Sequence, residues 1–262
     1  MHTIDFIHGL GYEVISFPDG EKLLKINELD RKDCVRIVSR ITCSDDLFLL
    51  MQLSDILNRQ CVEVEEIYIP YLMSMRCDRL FSFEQPFSLG IVANVINSFK
   101  AKIVRIVEPH SHASFRLIER SFPIWVDYKI EGDFVSCLPD KGSVDRYNSS
   151  RHSVSPIICS KVRDVNTGKL SGFRIEDIGE YKEGDNIVVV DDLCDGGGTF
   201  IGIAEELRKL KPGKLALAVV HAVQKQGVDR VAKVYDEVII SNSYKDWDKN
   251  DFPENVKVVS VL

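Results

Sequence analysis

The chain has 262 residues, 45% of them hydrophobic and 28% charged, and 33 Lys and Arg against 40 Asp and Glu give a net charge of −7. That apolar content supports a sizeable core and excludes disorder along the whole chain, while the acidic balance speaks against general nucleic-acid binding. No apolar run approaches the roughly 20 residues of a membrane helix. The segment Met1–Asp5 has no basic and apolar leader, and the seven cysteines are scattered singly with no CxxC pair. These features predict a cytoplasmic protein with reduced thiols, no zinc site, no disulfide framework, no nucleic-acid partner and no membrane partner.

Val35 to Ser39 reads as a strand. Asp45 to Gln60 has helical spacing, with Leu47, Leu50, Met51, Ile56 and Leu57 near one face and Asp45 placed to cap. Glu66 to Pro70 is a strand ended by proline, Pro86 to Lys100 a helix with proline in its first turn, and Lys102 to Val107 a strand. The second half repeats the theme. Ser155 to Cys159, Asn186 to Val190, Lys214 to Val220 and Glu237 to Ile240 are strands; Thr199 to Leu210 and Gly227 to Tyr235 are helices. Lys161 to Asp185, charged and containing four glycines, reads as a mobile loop or small flap. Asn148-Ser149-Ser150 has the form of a glycosylation acceptor but reads as a plain loop. Alternating strands and helices predict an α/β fold of two lobes, each a mainly parallel sheet flanked by helices. The boundary is expected near Pro139, giving lobes 1–138 and 139–262, with the last residues able to pack back on the first lobe.

The run from Ile187 to Phe200 carries the chemistry. An apolar strand delivers Asp191 and Asp192 at its C-terminal edge; Asp195, Gly196, Gly197 and Gly198 follow, and Thr199 opens a helix. A helix N-terminus offers free N–H groups and positive dipole to a phosphate. Glycines let the backbone close on it, Thr199 adds a hydroxyl, and the carboxylates suit the vicinal hydroxyls of a sugar. Together they spell out a ribose phosphate. Neither a GxxxxGK[ST] loop nor a GxGxxG turn after a strand is present.

This run resembles the signature shared by type I phosphoribosyltransferases and ribose-phosphate diphosphokinases, the synthetases of phosphoribosyl pyrophosphate (PRPP). The rest of the chain is similar to the diphosphokinases, in order, from about residue 15 to 245. Phe17-Pro18-Asp19-Gly20-Glu21 resembles the segment that grips adenine, implying that Phe17 stacks and that Asp19 and Glu21 bond. Arg76-Cys77-Asp78-Arg79 resembles the loop ending Arg-Gln-Asp-Arg and implies an ATP-binding role for Arg76, Asp78 and Arg79. Glu108-Pro109-His110 stands where the family has Asp-Leu-His, implying that His110 lies near the ATP phosphates and the metal. Pro139-Asp140-Lys141-Gly142 resembles the turn that contacts the sugar phosphate, with Asp140 as a metal residue. Lys161-Val162-Arg163 resembles the catalytic flap, and His221 the family's Thr-His turn.

The resemblance implies two phosphoribosyltransferase-like lobes with substrates in a cleft between them, Mg²⁺ as cofactor, ATP and a ribose 5-phosphate acceptor, and a homo-oligomer, dimer or hexamer. Lys161, Arg163 and His110 would be catalytic. Asp191, Asp192, Asp195, Gly196, Gly197, Gly198 and Thr199 would hold the ribose phosphate. The chain departs from the family at Cys77, at Glu108-Pro109 and in its glycine-rich loop, where Asp-Thr-Ala-Gly-Thr is usual. A looser cradle raises ADP-ribose as an alternative acceptor, with ADP-ribose pyrophosphate for NAD salvage as the product. A phosphoribosyltransferase and a non-catalytic associated subunit are the other classes open to this sequence.

Overall fold

In a computed structural model, described over residues 1–128, 130–140, 142–144, 155–163 and 170–262, the short runs rich in Val and Ile become the strands of two sheets. Residues Met1–Ile124 and Trp125–Leu262 form separate compact units.

The first unit contains strands β1 (His2–Asp5), β2 (Tyr12–Ser16), β3 (Lys22–Ile26), β4 (Cys34–Val38), β5 (Glu63–Ile69), β6 (Ile103–Val107) and β7 (Ser121–Ile124). Its helices are α1 (Ser44–Gln60), α2 (Ser88–Ser98) and α3 (Ala113–Leu117). Five strands pair in the order β1-β4-β5-β6-β7, all parallel, and β2 and β3 form an antiparallel hairpin. Helix α1 buries Leu50, Leu53 and Leu57, and α2 buries Leu89, Val92 and Ile96. Asp45 does not cap α1. The N-cap is Cys43, and Asp46 accepts the Thr42 and Cys43 backbone N–H groups at 2.8 and 3.1 Å, the position at which a carboxylate closes the first turn. Asp45 instead pairs with Lys22 at 2.5 Å. Pro86 precedes the α2 N-cap, Phe87, rather than standing in the first turn.

The second unit contains β8 (Phe134–Leu138), β9 (Ile157–Arg163), β10 (Leu170–Asp177), β11 (Asn186–Cys194), β12 (Leu215–Ala222), β13 (Glu237–Ser241) and β14 (Val256–Val259), with helices α4 (Gly198–Arg208) and α5 (Lys225–Val231). The sheet order is β10-β9-β8-β11-β12-β13-β14. Every pairing is parallel except β9 with β10. All residues of β12 are buried, as a central parallel strand covered on both faces requires.

The division falls after Ile124, ahead of the expected 138/139, because β8 pairs in parallel with β11 and so belongs to the second sheet. Strand β14 pairs with β13 and forms an edge of the second sheet. In the stretch from Lys161 to Asp185, read above as a mobile loop or small flap, β9 and β10 pair antiparallel; residues 164–169 lie outside the described residues, as does Asn148-Ser149-Ser150. Among the described residues, no helix is long and apolar enough to cross a membrane.

Candidate active site

Strand β11 runs four residues beyond Val190, so Asp191 and Asp192 lie within it rather than after it. Alternation sends their side chains to opposite faces. Asp192 is buried and Asp191 half-buried, and the Asp191 carboxylate accepts the Asp192 N–H at 3.0 Å. Cys194 ends the strand fully buried; burial, with Asp195 and Asp191 nearby, pushes its thiol up to about 12. It is therefore a neutral packing group at pH 7, not a nucleophile.

The three glycines that follow differ in what the backbone demands of them. Gly197, the α4 N-cap, has φ +76°, and a Cβ there would lie 2.8 Å from the Gly227 carbonyl oxygen and 2.9 Å from Val231 Cγ1. Only glycine fits such a position without strain. Gly198 has nothing within 4 Å of a Cβ, and Gly196 only Arg230 Nη1 at 3.9 Å. These two glycines leave open space where other residues would place a side chain. Thr199 follows in the first turn of α4, whose leading N–H groups have no partner within the helix.

Helix α5 lies against this loop along one stripe of residues three apart. Gln224, its N-cap, donates through Nε2 to Asp195 Oδ1 at 2.7 Å. Gly227 packs so closely that a Cβ would lie 1.8 Å from the Asp195 carbonyl oxygen. Arg230 donates through Nη1 to the Gly196 carbonyl at 2.8 Å. The expected helix over Gly227–Tyr235 overlaps α5, but its contact with the loop was not legible. A glycine inside a helix was the available signal.

At the end of β8, Asp140 accepts the Ser143 N–H at 3.1 Å and Lys161 Nζ at 2.9 Å. Lys161 stands on β9, so the turn after β8 and the first arm of the hairpin meet through an ion pair. The side chain of Arg163 and the whole of Lys141 lie outside the described residues. On the other arm of the hairpin, Phe173 seats on α4, where a Cβ at Gly202 would come 2.4 Å from its ring. His221 is inside β12 rather than after it, fully buried, with Nδ1 2.9 Å from Ser243 Oγ. Ser243 Oγ also lies 3.1 Å from the Val220 carbonyl oxygen, so His221 is tied through Ser243 to its own strand.

In the first unit, Asp19 and Glu21 are joined in the β2–β3 turn, Asp19 Oδ1 accepting the Glu21 N–H at 3.1 Å. Phe17 is 43% exposed beside them. The loops after the adjacent strands β5 and β6 bring a second group together. Arg79 grips Asp78 in a fork, at 2.8 and 3.1 Å. Ser111 also hydrogen-bonds Asp78, and His110 lies within its field. The Arg79 fork holds the Asp78 carboxyl below its usual range, against burial, with Ser111 and His110 adding to the effect. Arg76 is exposed on the same loop.

Residues 145–257 match the family described as "Phosphoribosyl transferase domain". The chain is 25% identical over 248 residues to the ribose-phosphate pyrophosphokinase of Thermococcus kodakarensis, covering 89% of this chain and 86% of that one. It is 29% identical over 214 residues to ribose-phosphate pyrophosphokinase 2 of Archaeoglobus fulgidus, covering 79% and 74%. The chain is thus similar along most of its length to proteins called ribose-phosphate pyrophosphokinases. Its fold is that of the phosphoribosylpyrophosphate synthetase of Mycobacterium smegmatis, at TM-score 0.76 and 18% identity, covering 95% of this chain and 86% of that one.

The side chains described above differ in the donor chemistry they offer a divalent cation. The carboxylates of Asp140, Asp191 and Asp192 are hard oxygen donors of the kind Mg²⁺ takes, whereas the His110 imidazole is the less suited type. Asp140 would exchange its Lys161 contact for the ion. Among the described residues, no three His, Cys, Asp or Glu side chains converge on one point.

Proposed function

We propose that this protein transfers the β,γ-diphosphoryl group of ATP to the anomeric hydroxyl of ribose 5-phosphate, giving PRPP and AMP. The observation that carries this reading is the β11–loop–α4 unit: a parallel strand carrying Asp191 and Asp192 near its C-terminal end, then a glycine-rich turn at a helix N-terminus. Support comes from relatives called ribose-phosphate pyrophosphokinases that align over most of the chain.

The ribose phosphate occupies the loop Asp195–Thr199, its 5-phosphate taking the N–H groups that open α4 and its hydroxyls turned toward Asp191 and Asp192. ATP is held by Phe17, Asp19, Glu21, Arg76, Asp78 and Arg79. The anomeric oxygen attacks the β-phosphorus, the bond from that phosphorus to the α,β-bridging oxygen breaks, AMP departs and the hydroxyl proton is released. Such transfers depend mostly on positioning and charge stabilisation. Lys161 and Arg163, on the β9–β10 hairpin, supply positive charge as negative charge moves toward AMP. His110 acts beside the ATP phosphates. Mg²⁺, when bound, would neutralise phosphate charge, and Asp140 or a carboxylate of the Asp191–Asp192 pair would supply oxygen to it. A cytoplasmic homo-oligomer, dimer or hexamer, completes the proposal.

A second acceptor has one observation in its favour. The space left open at Gly196 and Gly198 is not required by any neighbouring protein atom closer than 3.9 Å, so the cradle has room for a 5-phosphate that carries a substituent, as in ADP-ribose. Purified protein with Mg-ATP, offered ribose 5-phosphate and ADP-ribose in parallel, tests both by mass spectrometry. AMP with PRPP supports the first reading and AMP with a diphosphorylated ADP-ribose the second. No AMP from either acceptor overturns both and leaves the phosphoribosyltransferase and non-catalytic subunit classes.

A further inference from the structure

The geometry points to Arg230 and Gln224 as positioning residues that hold the glycine loop in its anion-binding shape from outside. The inference rests on the loop being the ribose-phosphate site, as proposed above. A run of three glycines has the largest backbone freedom any tripeptide can have, and ordering it for a ligand costs conformational entropy at every residue. Something must fix it beforehand if the site is to bind well.

The fixing groups lie on one stripe of α5. Arg230 Nη1 holds the Gly196 carbonyl at 2.8 Å. The peptide unit is planar and trans, so the Gly197 N–H points away from Arg230 and toward the Cys194 thiol, to which it hydrogen-bonds. Holding one end of that peptide orients the other. Gln224 Nε2 holds the Asp195 carboxylate at 2.7 Å, one residue earlier. Between them, Gly227 admits the Asp195 carbonyl to a distance no side chain would allow. The two contacts bracket the Asp195–Gly196–Gly197 backbone at its entry into α4. Arg230 makes no ion pair with any described residue, so its hydrogen bond to the loop is the contact that its truncation removes.

The test uses the full-length protein and the variants Arg230→Ala, Arg230→Lys and Gln224→Ala. Lys233→Ala, an exposed lysine just past α5, controls for net charge. Three readouts are taken: KM and kcat for ribose 5-phosphate, ribose 5-phosphate affinity by calorimetry, and amide hydrogen exchange of residues 195–200. Arg230→Ala is expected to raise KM and Kd about tenfold, equivalent to ~1.4 kcal/mol, with kcat within about threefold and faster exchange confined to the loop. Arg230→Lys recovers part of the loss and Lys233→Ala changes none of it. Unchanged KM and unchanged loop exchange in Arg230→Ala overturn the inference, as does equal loss with Lys233→Ala. If wild-type protein binds no ribose 5-phosphate, the functional reading fails; faster loop exchange in Arg230→Ala then still supports the bracket, and unchanged exchange removes it too.

Discussion

Replacing Gly227 with Ala puts one methyl group into the tightest backbone contact at the candidate site. The added carbon would lie 1.8 Å from the Asp195 carbonyl oxygen and 2.9 Å from its carbon. An ordinary C···O approach is about 3.3 Å, so loop and helix must part by roughly 1.5 Å, and both contacting groups are backbone. Overpacking of this kind costs about 1–3 kcal/mol, and at the size of this protein each kcal/mol lowers Tm by about 2–4 °C. The effect on activity is expected to be larger. A misplacement of about 1 Å near a reacting centre costs on the order of 10²-fold, and here the displaced segment is the loop itself. Differential scanning fluorimetry and AMP formation from Mg-ATP and ribose 5-phosphate are measured on the same preparation. The account predicts a folded protein, Tm lower by about 2–12 °C, with kcat/KM down about 10²-fold. Wild-type kcat/KM in Gly227→Ala would refute the reasoning, because the loop would then tolerate the displacement that the geometry requires.

Gly198→Ala meets no atom within 4 Å, so Tm should hold or rise by a degree or so while KM for the acceptor rises roughly tenfold as the methyl enters the cradle; unchanged KM would place the phosphate elsewhere. Lys161→Ala removes a pair with Asp140 in which both side chains are about one-third exposed. Stability should fall by less than about 1 kcal/mol while kcat drops by roughly 10²–10³, and a parallel loss of both would contradict a catalytic role. Glu237 is a nearly buried carboxylate; burial alone would raise its pKa, but hydrogen bonds from Lys214 and Lys257 outweigh that and leave it lowered. A lowered folded-state value contributes stability above the unfolded value of about 4.3, lost as pH falls through the folded value. Glu237→Gln should therefore melt below wild type at pH 7, with the gap closing as pH falls from about 4.3 through the lowered folded value; a gap that widens in acid would reverse the sign.

The β11–loop–α4 unit was legible because each part has its own composition: β-branched residues at 187–190, carboxylates at 191 and 192, glycines at 196–198. The central strands were legible for the same reason, and β12 is buried along its length. The β9–β10 hairpin was hidden by its charges. Lys161, Arg174, Glu176 and Asp177 read as loop residues because the strands are exposed on one face, and pairing with β9 rather than burial makes β10 a strand. Strands β2 and β3 were missed likewise, since Val14, Ile15 and Leu23 stay partly exposed and break the alternation that marks a half-buried strand. The α5 stripe could not be read at all. Gln224 and Arg230 look like ordinary surface residues of a short helix, and the loop they touch lies about thirty residues earlier. Only the packing of two elements in space joins them.

The most direct test of the account is phosphorus NMR on the protein with Mg-ATP and ribose 5-phosphate, following every phosphorus through the reaction. Transfer of an intact diphosphoryl group predicts AMP and a new diphosphate on the anomeric carbon, appearing in equal amounts and only when the acceptor is present. Release of ADP, or of AMP with free pyrophosphate and no anomeric product, would contradict it.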